Sequence, residues 1–318
     1  MKALKLLCPA MATVLALLLS CSVSAQQLNG FELEGALVPV DDILRGGPPR
    51  DGIPSIDAPH FIPAAQAGEL RDSDYVMGLN RNGISKAYPI RILNWHEIVN
   101  DRFGDEPVAI TFCPLCGSGM VFLREQAGRP LTFGVSGLLY NSDVLLYDRE
   151  TESLWSQIEA RALTGHYRGQ PLTQVAVEHT RWGDWRQRHP DSLVLSFETG
   201  FGRNYDTDPY AGYAESAATY FPVKFRALGF HPKERVIGLV LNGKAKAWPF
   251  VELGKADGLL QDRLGDTAIV VRFDPEHDSA RIEDSRGQLL PAITLYWFAW
   301  AAFHPDTEVF RHQDSTPR

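Results

Sequence analysis

Hydrophobic positions along this chain come in short runs, many alternating with polar ones, and Gly, Asn, Asp or Pro interrupts them at close intervals. That pattern predicts many short strands and few helices. Val76–Leu79 and Ser85–Tyr88 flank Asn82-Gly83, a dipeptide suited to a tight hairpin turn. Val236–Leu239 and Lys246–Trp248 flank Asn242-Gly243 in the same way. A short helix is expected after each hairpin, over about 90–100 and about 250–261, followed by an apolar strand at Val108–Phe112 or Ile269–Phe273. Later in each half a short helix carries Trp182 and Trp185, or Trp297 and Trp300. Their spacing puts both indoles on one helix face, which reads as core packing.

The recurrence is an internal repeat. The stretch from Tyr75 aligns with the stretch from Arg235: Gly78 with Gly238, Pro89 with Pro249, Gly104-Asp105 with Gly265-Asp266, Pro114 with Pro275. His189-Pro190-Asp191 answers His304-Pro305-Asp306, so both histidines read as structural corners. The expected fold class is therefore α+β and β-rich, a duplicated hairpin-helix-strand-helix module. Each copy alone is small for a core, so the two should pack as a pseudo-twofold pair. The first copy also carries a β insert: strands at Leu138–Tyr140 and Val144–Tyr147 around a turn at Asn141-Ser142-Asp143, another turn near Asp148–Thr151, and a strand from about Leu154. The divisions expected are an extended lead-in over 26–70, a first module over 71–198, an irregular connection over 199–230, a second module over 231–311 and a tail over 312–318.

Residues 1–25 read as an export signal: Lys2 and Lys5, an apolar run to Leu19, and small residues ending at Ala25. Leu18-Leu19-Ser20-Cys21 also resembles a lipobox, in which Cys21 would carry lipid. On either reading the chain works outside the cytoplasm, periplasmic or secreted, and any membrane attachment is through that lipid. The net charge of −8 argues against a nucleic-acid partner. No nucleotide cofactor is expected, and the small-molecule ligand and oligomeric state are left open.

Differences between the copies point to the chemistry. His96 faces Ala256, Cys113 faces Asp274 and Cys116 faces His277. In an oxidising compartment two mature cysteines separated by two residues are better read as a site than as a scaffold. Cys-Pro-Leu-Cys-Gly has the form of a metal knuckle. With no second knuckle in the chain, His96 is the expected third ligand. Three protein ligands with an open position suit a catalytic metal, and thiolate with imidazole suits zinc or copper. Competing readings are a thiol–disulfide oxidoreductase using Cys113 and Cys116, and a binding module with a structural zinc. Glu97, Tyr140, Ser142, Asp143, Asp148, Trp155 and Gln157 are candidate pocket or catalytic residues, although acids near turns are usually turn formers. His60, His166, His179, His231 and His312 read as loop or surface residues.

The blocks LNWHEIVND, TFCPLCGSG and FGVSGLLYNSDVLLYDRETESLWSQ resemble the signatures of a bacterial family, domain of unknown function thirty-one seventy-nine. The resemblance covers nearly the whole mature chain. It implies that Trp95, His96, Glu97, Cys113, Cys116, Ser142, Asp148, Arg149, Trp155 and Gln157 are motif positions, and it implies no activity.

Overall fold

The computed structural model describes residues 26–312. The export signal read in residues 1–25, with Cys21, and residues 313–318 of the tail lie outside the described residues. The described chain is β-rich with four short α-helices, an α+β protein.

The first half opens with the expected hairpin, Tyr75–Arg81 and Ile84–Pro89. Asn82 and Gly83 take φ of 53° and 75° at its turn. Such angles match the twist of the flanking strands, and Asn and Gly reach them at least cost. A helix, Ile90–His96, follows. It is shorter than expected: Glu97 leaves helical geometry at φ 57°, and Ile98–Phe103 is a strand. Gly104, at φ 64°, turns that strand back onto Glu106–Cys113, and cross-strand pairing overrides any further helical winding. Ser118–Leu123 completes a three-stranded meander in which Cys113 pairs with Ser118.

Residues 235–309 run through the same order of elements. The hairpin Arg235–Leu241 and Lys244–Pro249 leads to the helix Phe250–Leu253 and a meander, Leu259–Leu264, Thr267–Asp274 and Ser279–Asp284. Here too the expected longer helix divides into a short helix and a strand. Each half then ends alike. Glu178–Arg181 pairs with the first hairpin, and Ile293–Tyr296 with the second. The helices Trp182–Arg188 and Trp297–Phe303 follow, and each leads to a strand parallel to its hairpin's second strand.

The two halves meet within one sheet. The second hairpin and Ile293–Tyr296 join the first half's meander in an eight-stranded sheet, through the pairing of Thr294 with Gly119. The insert forms a five-stranded sheet with the lead-in: Arg161–Ala162, Leu154–Ser156, Asp143–Asp148, Phe133–Tyr140 and Ile43–Arg45, in that order. The lead-in also supplies Phe61–Pro63 at the edge of the first hairpin's sheet. Residues 199–230 contain no helix or strand. His179, expected at the surface, is buried on Glu178–Arg181, and its Nε2 donates to the Gly119 carbonyl at 3.2 Å. Burial pushes its pKa down to about 3, so the ring is neutral. Polar types on a strand buried on both faces give no alternation to read. His166 and His231 are exposed, as expected.

Trp182, Trp185 and Trp300 are fully buried and Trp297 nearly so. Their helices end at His189 and His304, whose rings lie 4.0 Å and 4.1 Å from Trp185 and Trp300 by centroid. The matched glycines have a matched reason. A Cβ on Gly78 would lie 2.2 Å from the Trp185 ring, and one on Gly238 would lie 2.3 Å from the Trp300 ring. Gly78→Ala and Gly238→Ala should therefore each destabilise the fold by about 2–3 kcal/mol, through overpacking. Urea unfolding measures this, and an unchanged midpoint would show that the indole yields freely.

Candidate metal centre

Strand pairing brings the two cysteines together at the end of the meander. Glu106–Cys113 is buried from Pro107 to its last residue, and the chain turns through Pro114-Leu115-Cys116. Cys116 N donates to the Cys113 carbonyl at 3.2 Å, and Gly117 closes the turn at φ 60°. Both cysteines are free thiols, 2 % and 0 % exposed. The insert supplies the opposite wall. Asn141 and Ser142, at φ 50° and 68°, form a two-residue turn between its long strands. That turn directs the Ser142 carbonyl at the thiols: Cys116 Sγ donates to it at 3.3 Å, and Cys113 Sγ lies 3.8 Å away. Asp143 follows, 1 % exposed.

Cys113, Cys116 and Asp143 each place one donor atom within 4.8 Å of the others, all buried. His96 is not in this group. Its Nδ1 is 2.7 Å from the Pro54 carbonyl and its Nε2 is 2.6 Å from the Tyr205 hydroxyl. The carboxylate Asp143 therefore stands where the sequence suggested an imidazole. Nothing in the sequence separated it from a turn-forming aspartate, because its approach to the sulfurs depends on how the insert folds back.

The remaining candidates divide by environment. Gln157 reaches the meander: its Nε2 donates to Thr111 Oγ1 at 2.8 Å, and its Oε1 accepts from Ser118 Oγ at 2.7 Å. Ser118 Oγ is also 3.3 Å from Asp143, whose other oxygen accepts from Ile158 N at 3.1 Å. Gln157 and Ser118 thus orient the carboxylate. Ser142 Oγ is buried without a partner. Asp148 is a turn former after all. It accepts from Thr151 N at 2.7 Å and from Trp155 Nε1 at 2.8 Å, which locks that indole against Phe133. Arg149 pairs with Asp57 of the lead-in. Tyr140 packs edge-on against Phe303, in a different apolar cluster from the thiols. Glu97 is buried at the end of its helix, in the charge field of Asp143 and Cys113.

Four acidic groups are thus buried close together, and each is pushed toward its protonated form. Burial raises Asp143 to about 7. Burial and then the charge of Asp143 raise Glu97 to about 8. Burial also raises Cys113, and Cys116 well above the ordinary thiol range. Two residues from the connection line the same place. Tyr213 packs in the apolar cluster of Cys113 and Cys116, and Tyr210 sits in the field of Glu97 and Cys113.

The family model of proteins of unknown function, DUF3179, matches residues 50–290, a span that contains the knuckle, the Trp95-His96-Glu97 helix and the insert. The chain belongs to the DUF3179 family. No curated protein and no solved structure matches it.

In this DUF3179 protein a second donor group joins Asp274 and His277, at the corresponding turn of the second half, to Asp184 of the first half's Trp182–Arg188 helix. Asp274 is exposed and the other two are partly buried. His277 Nδ1 pairs with Asp274 at 2.7 Å, and Asp184 is already bound by Arg188 at 2.7 Å.

The buried carboxyls set a pH dependence. Their folded pKa values lie above the unfolded ones, so the folded chain holds protons that the unfolded chain releases. They contribute stability that is present below about pH 4 and lost as pH rises through about 7 and 8. Metal-free protein should lose stability from pH 5 to pH 8, and Asp143→Asn or Glu97→Gln should flatten that fall by on the order of 2 kcal/mol. Urea unfolding across this range is the check. An equally steep fall in both variants would clear these carboxyls of responsibility.

Proposed function

We propose that this chain is an exported transition-metal-binding protein whose metal is held by Cys113, Cys116 and Asp143. One observation carries the reading: three donor atoms from two turns far apart in sequence converge within 4.8 Å in a buried place. Leaving such groups charged there is costly without a cation. A divalent or soft monovalent ion would replace their protons and relieve the cost, so binding should strengthen as pH rises. Two sulfurs suit zinc or copper rather than magnesium or calcium. Three protein ligands leave a position for a small molecule, as in catalytic sites.

The competing reading is a cycling Cys113–Cys116 disulfide, and the two free thiols of this turn favour it. Their raised pKa values weigh against it, because the thiolate is the reactive form. We further propose that the halves derive from a duplication. Its support is the shared element order and a shared ion pair, buried in the first half and partly buried in the second: Lys86 to Asp101 at 2.7 Å, and Lys246 to Asp262 at 2.8 Å. In that picture the second turn has lost its cysteines.

Protein purified from the periplasm should carry about one equivalent of zinc or copper, as a structured thiolate site does. Cys113→Ser, Cys116→Ser and Asp143→Asn should each lower it sharply, and His96→Ala should retain it. Loss in His96→Ala with retention in Asp143→Asn would restore the Cys2His set. Full stoichiometry after removal of both cysteines would move the site to Asp184, Asp274 and His277. Metal-free protein with a Cys113–Cys116 disulfide that mild reductant opens and oxidant restores would favour the redox reading.

A further inference from the structure

The stretch 199–230 lies across the buried thiols although it has no regular structure. Tyr213, in its middle, is 2 % exposed and packs in one apolar cluster with Cys113, Cys116 and Trp297. Its hydroxyl is buried with no hydrogen-bond partner, as is Ser142 Oγ. An orphaned buried hydroxyl costs about 1–3 kcal/mol, so two of them beside the thiols mark a surface shaped to meet another group.

Polar ties hold the stretch along its length, among them Lys224 N to Asn141 Oδ1 at 3.0 Å and the Lys224–Asp42 pair. Consecutive residues of the Ile90–His96 helix reach it: Asn94 Nδ2 donates to Asp208 at 3.1 Å, and Trp95 Nε1 donates to the Thr207 carbonyl at 3.1 Å. Arg91 Nε donates to the Tyr205 carbonyl at 3.2 Å. His96 makes the buried tie. The Pro54 carbonyl can only accept, so Nδ1 carries the proton and Nε2 accepts from the Tyr205 hydroxyl. Tyr205 then accepts from Thr199 Oγ1 at 2.5 Å. At the far side the Lys233 ammonium donates to the carbonyls of Tyr213, Ser216 and Ala218, the last at 2.8 Å. Meanwhile Tyr220 and Leu228 of the stretch stand 60 % and 91 % exposed. Tyr205 and Tyr213 are buried, and Tyr210, Phe221 and Val223 pack half-buried against the core, so the stretch is seated as well as tied. With no helix or strand ladder of its own, it opens at lower free energy than the sheets beneath it.

We infer that residues 199–230 form a removable wall of the thiol site, latched by His96 on Tyr205, through which the metal enters. His96 would then matter to the site without touching it. The identity of the entering ion rests on the metal reading above, whereas the wall does not.

The test is the rate at which an aromatic disulfide reagent modifies Cys113 and Cys116 in the chelator-treated, reduced full-length mature protein. Parent protein should react far more slowly than a free thiol. Tyr205→Phe and His96→Gln should speed the reaction about tenfold, the equivalent of one to two lost hydrogen bonds. Thr199→Val, a smaller change, should speed it less. Gln126→Ala, in a distant surface hairpin, should leave it unchanged. The unfolding midpoint of each variant shows whether acceleration exceeds what global unfolding allows. Rates equal to the parent's, or acceleration no greater than the loss of global stability allows, would overturn the wall. So would a parent that reacts like a free thiol. Absence of metal from the purified protein would sink the metal reading and leave the labelling result standing.

Discussion

The turn that carries the thiols is closed by the other half of the chain. Tyr296 N donates to the Cys116 carbonyl at 2.8 Å, just beyond the point where Thr294 pairs with Gly119. A Cβ on Gly117 would stand 3.0 Å from the Tyr296 ring. The Cys113–Gly117 turn is therefore seated against the start of the Trp297–Phe303 helix, and that helix is in turn seated on Gly238. Much of the dry character of the site follows from this docking. Were the halves to separate, the sulfurs would reach water, and the pressure toward protonation that burial creates would fall away.

Burial also weighs differently on the two chemistries proposed for the site. A reactive cysteine works as a thiolate and is found near cations or helix N-termini. Here the neighbours of the sulfurs are carboxyls, a backbone carbonyl and aromatic rings, and each of these disfavours a bare thiolate. Lys233, which feels the charge of Cys116, already serves three carbonyls and lies 3.6 Å from the Tyr213 ring centre. An environment that resists charge on its own donors is poor for nucleophilic attack. It is good for a cation that supplies the missing charge.

How much of this was legible beforehand differs by scale. The hairpins were readable because Asn-Gly turns declare themselves locally. The Trp helices were readable because spacing alone puts two indoles on one face. The strand Ile98–Phe103 was not, since it begins directly at a helix end and is defined by its partner across Gly104. The cysteines stood out by type and spacing. Asp143 did not, because its approach to the sulfurs is set by a two-residue turn in the insert and by Gln157 and Ser118, far apart in sequence. His96 stood out for a physical reason, as an imidazole beside a cysteine-bearing strand, yet both its nitrogens are bonded away from the sulfurs. Tyr213 gave only a compositional hint, as one tyrosine in a Gly- and Tyr-rich connection.

The contrast between the two turns shows what the insert adds. Asp274 and His277 occupy the positions answering Cys113 and Cys116, and Asp278 takes φ 48° where Gly117 takes 60°. The backbone is thus nearly the same, yet the Asp274 and His277 side chains are 46 % and 26 % exposed. The second half has no counterpart of the Phe133–Ser156 strands, and so no Ser142 carbonyl and no second carboxylate from an overlying turn. Charged Asp and His tolerate that wet position through their own ion pair, whereas two thiols and an aspartate brought together in one buried group depend on the cover. Cysteines and insert therefore belong to one physical requirement: a soft donor set is worth keeping only where the fold can shield it from solvent.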